Sequence, residues 1–510
     1  LGLSHDEFMA LGRVNPGDSS ESFCMTVLAL KKSRRTNGVS AIHADVSRLM
    51  WHPLWPERPE IEVPIGHITN GVHVLSWLAP QMHKLLETRL SQDWSTRMVH
   101  PDVWEKIDEI DDGELWETHQ SLKMSLIRFV RRRLLLQAKR LGHRKIVQQI
   151  MQILDPDVLT IGCARRFATY KRGDLILAQL ERLEKLIGDA RRPIQIVFAG
   201  KAHPKDNEGK GIIRSLVDFG LRTNLRHRFI FLEDYDMHIA RCLVQGADVW
   251  LNTPRRPMEA CGTSGMKAAL NGVLNVSILD GWWCEGYSPE RGWRIGNGEE
   301  YQDHSYQDAV ESQAVYNIIE NEVAPLYYER AAGGIPRAWL KMMKASMKMA
   351  MSQFCSLRMI SEYEERFYLP ASRRFEELVS DGGVEALRLS DQHRRYLDKW
   401  PQIQVAVPVR SAQGPFRVNQ SFEVTTVVQT GDLRPDELNV ELYYGKMRHL
   451  DRIDEPRVKM MRVKEEREAA TYLYSCKLPC TDSGRYGFTV RVTPNADAWI
   501  QYRPELLTWA

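Results

Sequence analysis

With 510 residues, 43% hydrophobic and 26% charged, the chain holds enough apolar content for two to four domains of about 100–200 residues, which excludes a disulfide-held miniature or a disordered polyelectrolyte. Basic and acidic residues number 69 and 66, a formal charge of +3, too balanced for a general nucleic-acid binder. No apolar run is long enough to span a bilayer, and no signal-peptide pattern is visible, so no membrane partner is expected.

Ser4-His5-Asp6-Glu7 is a capping-box pattern that predicts a short first helix. A second helix is expected from about Glu21 to Arg35, stopped by Asn37-Gly38. Residues 52–66 are proline-rich and read as extended. Residues 80–150 read as helical, with Leu, Trp and Ile at 3.6-type spacing. Within them, Arg128 to Lys145 is strongly basic. It reads as the solvated face of an amphipathic helix with Leu134, Leu135 and Leu136 turned inward, a polyanion site being the alternative.

Near residue 157 the pattern changes. Short apolar runs (Val158–Gly162, Ile194–Ala199, Arg228–Leu232, Val249–Asn252 and Val273–Leu279) alternate with helical stretches at Leu175–Ile187, Gly209–Phe219, His238–Gln245 and Thr263–Asn271. Alternation of this kind predicts a parallel sheet covered by helices, with ligands beyond the carboxyl ends of the strands. Residues 313–380 read as helical again, their Met stripe packing a core. The last hundred residues turn to short alternating runs, Gln402–Val409, Phe422–Gln429, Asn439–Tyr444, Arg457–Val463, Thr471–Leu478 and Tyr486–Val492, which predict a small all-β sandwich. The eight cysteines are scattered without a CxxC pair, which favours a reducing cytoplasmic setting over a disulfide framework. Cys476 and Cys480 lack the second pair a metal site needs, so no metal is expected.

Four segments carry chemistry. In Cys163–Asp174, Arg165, Arg166 and Lys171 follow a strand and precede a helix, a placement that suits a dianion, though a solvated basic turn fits as well. In Met258–Gly272, Gly262, Thr263, Ser264 and Gly265 precede a helical run carrying Lys267. Backbone N–H groups at a helix start attract anions, and a lysine shielded from water has the lowered pKa that Schiff-base chemistry uses; a tight turn capping a helix is the plainer reading. Asn37-Gly38-Val39 and Asn70-Gly71-Val72 are near-identical and read as turns, with His43 and His73 structural. In Leu279–Tyr287, Trp282 and Trp283 are either core or a face for a sugar ring.

Taken in order, these segments resemble the glycogen, starch and maltodextrin phosphorylases, most of all the shorter bacterial and archaeal α-glucan phosphorylases. RRTNGVSAIHADV and HITNGVHVLSW resemble the family's NGV segments, ARRFATYKR its phosphate motif, FAGKAHPKD its GGKA strand end, EACGTSGMK its cofactor-lysine segment, and LDGWWCEGY its LDG segment. The resemblance covers roughly residues 20–370. It implies an α/β, two-domain glycosyltransferase-B-like (Rossmann-like) fold with an incomplete first domain, plus the C-terminal β-sandwich. The implied division is 1–155 for the rest of the first domain, 156–335 for the cofactor and phosphate domain, 336–395 for helices crossing back, and 396–510 for the accessory β domain.

The implied reaction is phosphorolysis of terminal α-1,4-glucosidic bonds to glucose 1-phosphate. The 5′-phosphate of pyridoxal phosphate exchanges a proton with substrate phosphate. By resemblance, Lys267 forms the cofactor Schiff base; Arg165, Thr263, Ser264 and Tyr235 line the cofactor; Arg166 and Lys171 bind substrate phosphate; and Asn70, Tyr170, Glu259, Cys261 and Gly262 contact the sugar. Cys261 stands where the family has Ser, Ser264-Gly265 where it has Gly-Asn, Arg165 where it has Lys, and Asp236 where it has the Arg after Tyr235. The partners implied are α-1,4-glucan and inorganic phosphate, and a homo-oligomer is compatible. Leu at position 1 and the family's missing upstream sugar-side segments lead us to expect a piece of a longer polypeptide, poorly active by itself. A nucleotide-sugar glucan synthase on the same fold, with Arg166, Lys171 and Glu259 gripping the nucleotide, is the first alternative; a non-catalytic glucan-binding protein is the second.

Overall fold

In the computed structural model, which describes residues 2–90, 93–140, 142, 147, 149–222, 226–330, 334–447 and 453–510, the apolar runs become strands of one parallel sheet. Its strands are β1 (Leu159–Arg166), β2 (Ile194–Lys201), β3 (Phe229–Leu232), β4 (Val249–Asn252), β5 (Leu274–Ile278) and β6 (Gly292–Ile295). They lie in the order β3-β2-β1-β4-β5-β6, with every pairing parallel. β1 and β2 bury every residue but their last, as strands covered on both faces do. β1 runs past the expected Gly162 because Cys163, Ala164 and Arg165 continue the ladder with β2. β6 has no counterpart in the sequence reading: its only large apolar residues are Trp293 and Ile295, too few to stand out. The strand order reverses between β1 and β4, which leaves a crevice at their carboxyl ends.

Contacts divide the chain into two units. Asn37–Val46 and Gly66–Arg366 form the unit that contains the parallel sheet. Its helix Asp112–Arg140 buries Leu115, Leu122, Leu126, Val130 and Leu134, a 3.6-spaced face. That helix also carries His119 and Lys123, which meet Asp248 just before β4. Asp248 is 0% exposed and accepts from His119 Nε2 at 2.8 Å, Lys123 Nζ at 2.6 Å and the Thr160 amide at 2.7 Å. Leu136 departs from the expectation: it is 57% exposed, while Leu134 is buried. Successive helical residues turn about 100°, so three in a row cannot share one inward face. The Arg144 and Lys145 end of the basic stretch lies outside the described residues. The Met stripe of helix Arg337–Gln353 is core, with Met343, Met347, Met349 and Met351 buried. Trp282 and Trp283, 2% and 0% exposed, are core as well.

The two Asn-Gly pairs are not turns. Thr36–Gly38 is a short strand, and neither Gly38 nor Gly71 has a positive φ. Close approach requires glycine here: a Cβ at Gly71 would lie 2.2 Å from the Cys355 carbonyl oxygen, and one at Gly38 would lie 2.7 Å from the Ala44 nitrogen. Val72 bonds through its amide to Phe354 O (2.8 Å) and accepts from the Ser356 amide (2.9 Å). Gly71→Ala is therefore expected to destabilise the fold by about 1–3 kcal/mol, the usual penalty for overpacking. Thermal unfolding measures it, and an unchanged Tm would show that the two backbones can part freely.

The second unit comprises Leu1–Thr36, Ser47–Ile65 and Phe367–Ala510. Ser4 caps helix His5–Ala10 in a full capping box, as expected. The next helix is shorter than expected, Met25–Lys32, and ends at an extended Ser33 rather than at Asn37-Gly38. Residues 52–66 contain short 3-10 turns at His52–Leu54 and Glu60–Glu62. The C-terminal part is antiparallel: β7 (Gln404–Val405), β8 (Val409–Arg410), β9 (Ser421–Gln429), β10 (Leu438–Met447), β11 (Ile453–Met460), β12 (Arg462–Glu468), β13 (Thr471–Pro479), β14 (Tyr486–Pro494) and β15 (Thr508–Trp509). One sheet runs β8-β9-β13-β12 with β7 on β9; the other runs β11-β10-β14-β15. Val424, Val428, Tyr474 and Leu478 of the first join Val440, Leu442, Val490 and Val492 of the second in one buried cluster. The expected strand Arg457–Val463 is in fact two strands in different sheets, because the chain crosses between sheets at buried Met461. Arg491 anchors the 47–65 segment to this core, pairing with Glu62 and, at 2.8 Å, with Glu441.

Candidate active site

The carboxyl end of β1 carries the first cluster. Arg166 is its last residue, exposed and without a hydrogen-bond or ion-pair partner among the described residues. Arg165, 7% exposed, faces the other way: its guanidinium donates to Leu251 O at 2.9 Å, Thr253 Oγ1 at 3.3 Å and Lys171 O. Those bonds hold the Thr169–Lys171 turn against the end of β4. Arg172, which sequence reasoning did not single out, secures the same turn from a left-handed conformation. Its side chain is buried and bonds to Thr253 O (3.1 Å), Pro254 O (2.8 Å) and Asp308 (2.8 Å), and pairs with Glu311. Tyr170 is half-buried; its carbonyl accepts from the Arg255 amide at 2.7 Å, and its ring lies 5.1 Å from Lys171 Nζ.

Lys171 crosses to the segment after β4, where its Nζ meets Glu259 Oε2 at 2.5 Å. The Glu259 amide donates in turn to Asp280 Oδ2 at 2.9 Å, and the Gly281 amide donates to Asp280 Oδ1 at 2.8 Å. Burial pushes the Asp280 carboxyl up to about 7; its two amide donors oppose the shift and neighbouring Glu259 adds to it. The Cys261 carbonyl accepts from the Trp282 amide at 2.9 Å, so residues 259–262 are clamped to 280–282. Burial raises the Cys261 thiol to about 12, the nearby Asn70 amide opposing the shift; it is a packing group rather than a nucleophile. Gly262 has φ +80°, a conformation open to glycine at little cost.

Glu285 ties the Asn-Gly-Val segments to this loop: one oxygen accepts from the Ala41 amide (3.0 Å), the other from Thr69 Oγ1 (2.7 Å). The Asn70 amide donates to Val39 O at 3.0 Å, and the Asn70 carbonyl accepts from Arg358 at 3.2 Å. Position in the LDGWWCEGY segment was the only sequence sign of Glu285.

Lys267 sits on helix Ser264–Ala269, whose N-cap Thr263 makes no side-chain cap bond. The Ser264 hydroxyl accepts from the Trp250 indole at 3.2 Å. The Lys267 ammonium is half-buried, 3.9 Å from the centre of the Trp77 ring, and has no ion-pair or hydrogen-bond partner among the described residues. Burial lowers its pKa. Asn271, fully buried, latches its helix to the Trp77 segment: Nδ2 donates to Trp77 O at 3.0 Å and Lys267 O at 2.9 Å, and Oδ1 accepts from the Ala79 amide at 2.8 Å. Tyr235, after β3, is half-buried, and burial raises its hydroxyl pKa, with Cys163 and Asp236 adding to the shift. Asp236 caps helix Met237–Gly246, accepting from the Ile239 amide at 2.8 Å. The structure thus joins Lys171 to Glu259 and Arg165 to the Lys171 backbone, while the Asn70 backbone bonds to Val39 and Arg358. Lys267 contacts Trp77 instead of any of these. All the predicted residues except Asn70 follow, or end, strands at the carboxyl edge of the sheet. Among the described residues no cluster could hold a metal ion, none of the helices is long and apolar enough to cross a membrane, and all eight cysteines are free.

Residues 11–285 match the carbohydrate phosphorylase family, and residues 400–510 match the glycogen phosphorylase C-terminal domain. The chain is 38% identical over 495 residues to a glycogen phosphorylase of Mycobacterium tuberculosis, covering 97% of this chain and 57% of the relative. It is 37% identical over 475 residues to a maltodextrin phosphorylase of Thermococcus litoralis, covering 93% and 54%. Against a glycogen phosphorylase of Aquifex aeolicus it is 45% identical over 368 residues, covering 72% and 52%. The chain spans little more than half the length of these relatives. With more than half of its residues inside one family match and a carboxyl-edge cluster built from the same segments, the chain belongs to the carbohydrate phosphorylase family.

Proposed function

We propose that this chain carries the cofactor- and phosphate-binding half of an α-glucan phosphorylase, which releases glucose 1-phosphate from α-1,4-glucan ends. The observation that carries the reading is the Lys267 ammonium: half-buried, facing an indole, and without a counter-ion among the described residues. An amine whose charged form is disfavoured by burial is poised to condense with an aldehyde, so the residues present fit pyridoxal phosphate. When bound, that cofactor supplies a phosphate group able to exchange a proton with substrate phosphate.

The chain's own residues do the rest. Arg166 and Lys171 hold substrate phosphate at the end of β1, where two cations offset the repulsion between two phosphate groups. Arg165 adds positive potential from behind and fixes the turn that aims Lys171. Thr263, Ser264 and Tyr235 border the cofactor. Glu259 and Lys171 satisfy each other until a sugar hydroxyl takes the carboxylate and a phosphate takes the ammonium. Asn70, Tyr170, Cys261 and Gly262 border the sugar. The order β3-β2-β1-β4-β5-β6 supports a Rossmann-like half of a two-domain glycosyltransferase-B fold, and the shared core of the C-terminal sheets supports a sandwich. Free cysteines support a cytoplasmic setting.

Calorimetric titration of the cofactor-loaded chain with inorganic phosphate tests this reading. Arg166→Ala and Lys171→Ala are each expected to weaken binding about 10- to 100-fold, the range for a charge-assisted contact. Unchanged phosphate affinity in both variants would remove the assignment.

A further inference from the structure

A cofactor held at Lys267 needs a cation for its phosphate, and the structure narrows the choice. This inference rests on the reading of Lys267 given above. Pyridoxal phosphate carries its phosphomethyl group on the ring carbon next to the one bearing the aldehyde. The dianion therefore lands within about one ring's width of the lysine that captures the aldehyde. Arg165 spends both terminal nitrogens on carbonyls and neighbouring side chains and keeps only a buried Nε without a partner, Arg172 is committed to carbonyls and carboxylates, and Lys171 to Glu259. Position 236, directly after Tyr235, is an aspartate, and its carboxylate is engaged in capping a helix.

Further along that same helix stands Arg241. Its guanidinium carbon lies 5.9 Å from the centre of the Trp77 ring, the indole that also faces the Lys267 ammonium at 3.9 Å. Gln245, one turn on, donates to the Trp77 carbonyl at 3.1 Å, which keeps this helix face against the Trp77 segment. Arg241 Nε is buried with no hydrogen-bond partner, and its guanidinium has no ion pair among the described residues. Two cations thus share one aromatic ring with no carboxylate paired to either. Such an arrangement is short of one anion, because like charges repel in a partly dry site and a buried donor left unmade is costly. The chain's Trp77 spaces them, and an anion brought in at Lys267 would satisfy both.

We propose that Arg241 binds the phosphate group of the pyridoxal phosphate captured by Lys267, taking the place that the capping aspartate at position 236 cannot fill. The experiment compares two ligands on the cofactor-free chain: pyridoxal phosphate, and pyridoxal, which lacks the phosphate. Adduct formation is followed by near-ultraviolet absorbance, and the melting temperature of each cofactor-free variant is recorded beside it. Arg241→Met keeps a long side chain over the indole but removes the charge. It is expected to weaken pyridoxal phosphate binding about 10- to 100-fold and leave pyridoxal binding unchanged. Arg241→Lys is expected to recover most of that loss. Equal weakening of both ligands would make Arg241 a packing group over Trp77, and unchanged affinity for both would leave it without a role; either result overturns the proposal. If the unsubstituted chain captures neither ligand at Lys267, the reading of the whole site falls. If it captures both and Arg241→Met behaves like it, only the assignment of Arg241 falls.

Discussion

Lys267→Ala is expected to abolish covalent uptake of pyridoxal phosphate. Borohydride reduction of the loaded chain, followed by digestion and peptide mapping, should place one pyridoxyl group on the peptide containing Lys267 and none on the variant. The physical basis is local. The ammonium faces Trp77, has no carboxylate to hold it charged, and has its pKa lowered by burial, so the neutral, nucleophilic amine is reached at a lower pH than for an ordinary lysine. Lys267→Arg should fail equally, because a guanidinium over the same indole keeps the charge but cannot condense with an aldehyde. Loss of fold does not explain either result if Lys267→Met, which removes a disfavoured buried charge, leaves the Tm of the cofactor-free chain unchanged or higher. The sign agrees with linkage: the penalty on the charged lysine is complete below its lowered folded pKa, fades as pH rises through it, and is gone above the ordinary lysine value. A pyridoxyl group on any other lysine, or none on folded unsubstituted chain, would defeat the assignment.

Asp248→Ala is expected to destabilise the unit containing the parallel sheet by about 3–5 kcal/mol, measured by chemical denaturation. Asp248, His119 and Lys123 are all fully buried, and the carboxylate is the counter-charge for Lys123, whose Nζ also donates to Tyr327 Oη at 2.8 Å. Removing it strands an ammonium in a dry core and frees the Thr160 amide that it accepts from. Burial pushes the Asp248 carboxyl up, but Lys123 and His119 overcome that and hold it below the ordinary aspartate value. Its contribution is accordingly complete above that ordinary value and is lost as pH falls through the lower folded one. Lys123→Met in the Asp248→Ala background should restore much of the loss, since it removes the stranded charge together with its vanished partner. A loss below about 1 kcal/mol in Asp248→Ala would show that water reaches this cluster after all.

Much of the parallel sheet was legible because its strands are short, continuous apolar runs between turn residues; Val249–Asn252 agrees residue for residue. Patterns failed where burial depended on a distant neighbour. Gly38 and Gly71 look like turn glycines, yet Gly71 is required by a carbonyl nearly three hundred positions away. Leu136 belongs to an apolar triplet but points outward, because the helix has only one face to bury. Met461 splits one apparent strand into two because it marks where the chain leaves one sheet for the other.

By itself the sequence determined the alternation of strands and helices, the all-β character of the C-terminal region, and the candidacy of Lys267, Arg166 and Lys171, since these rest on local periodicity and on residue chemistry at strand ends; Glu259 was reached only through the family resemblance. Only the tertiary structure decided which of those cations are engaged. Arg165 turns onto carbonyls, Lys171 meets Glu259, and Lys267 and Arg241 share the face of Trp77. It also decided that Ser47–Ile65 belongs with the C-terminal sheets and that His119, Lys123 and Asp248 form one buried cluster. The reason is the same in each case: a side chain's protonation and partner are set by what lies within a few ångströms, and those neighbours come from segments far apart in the chain.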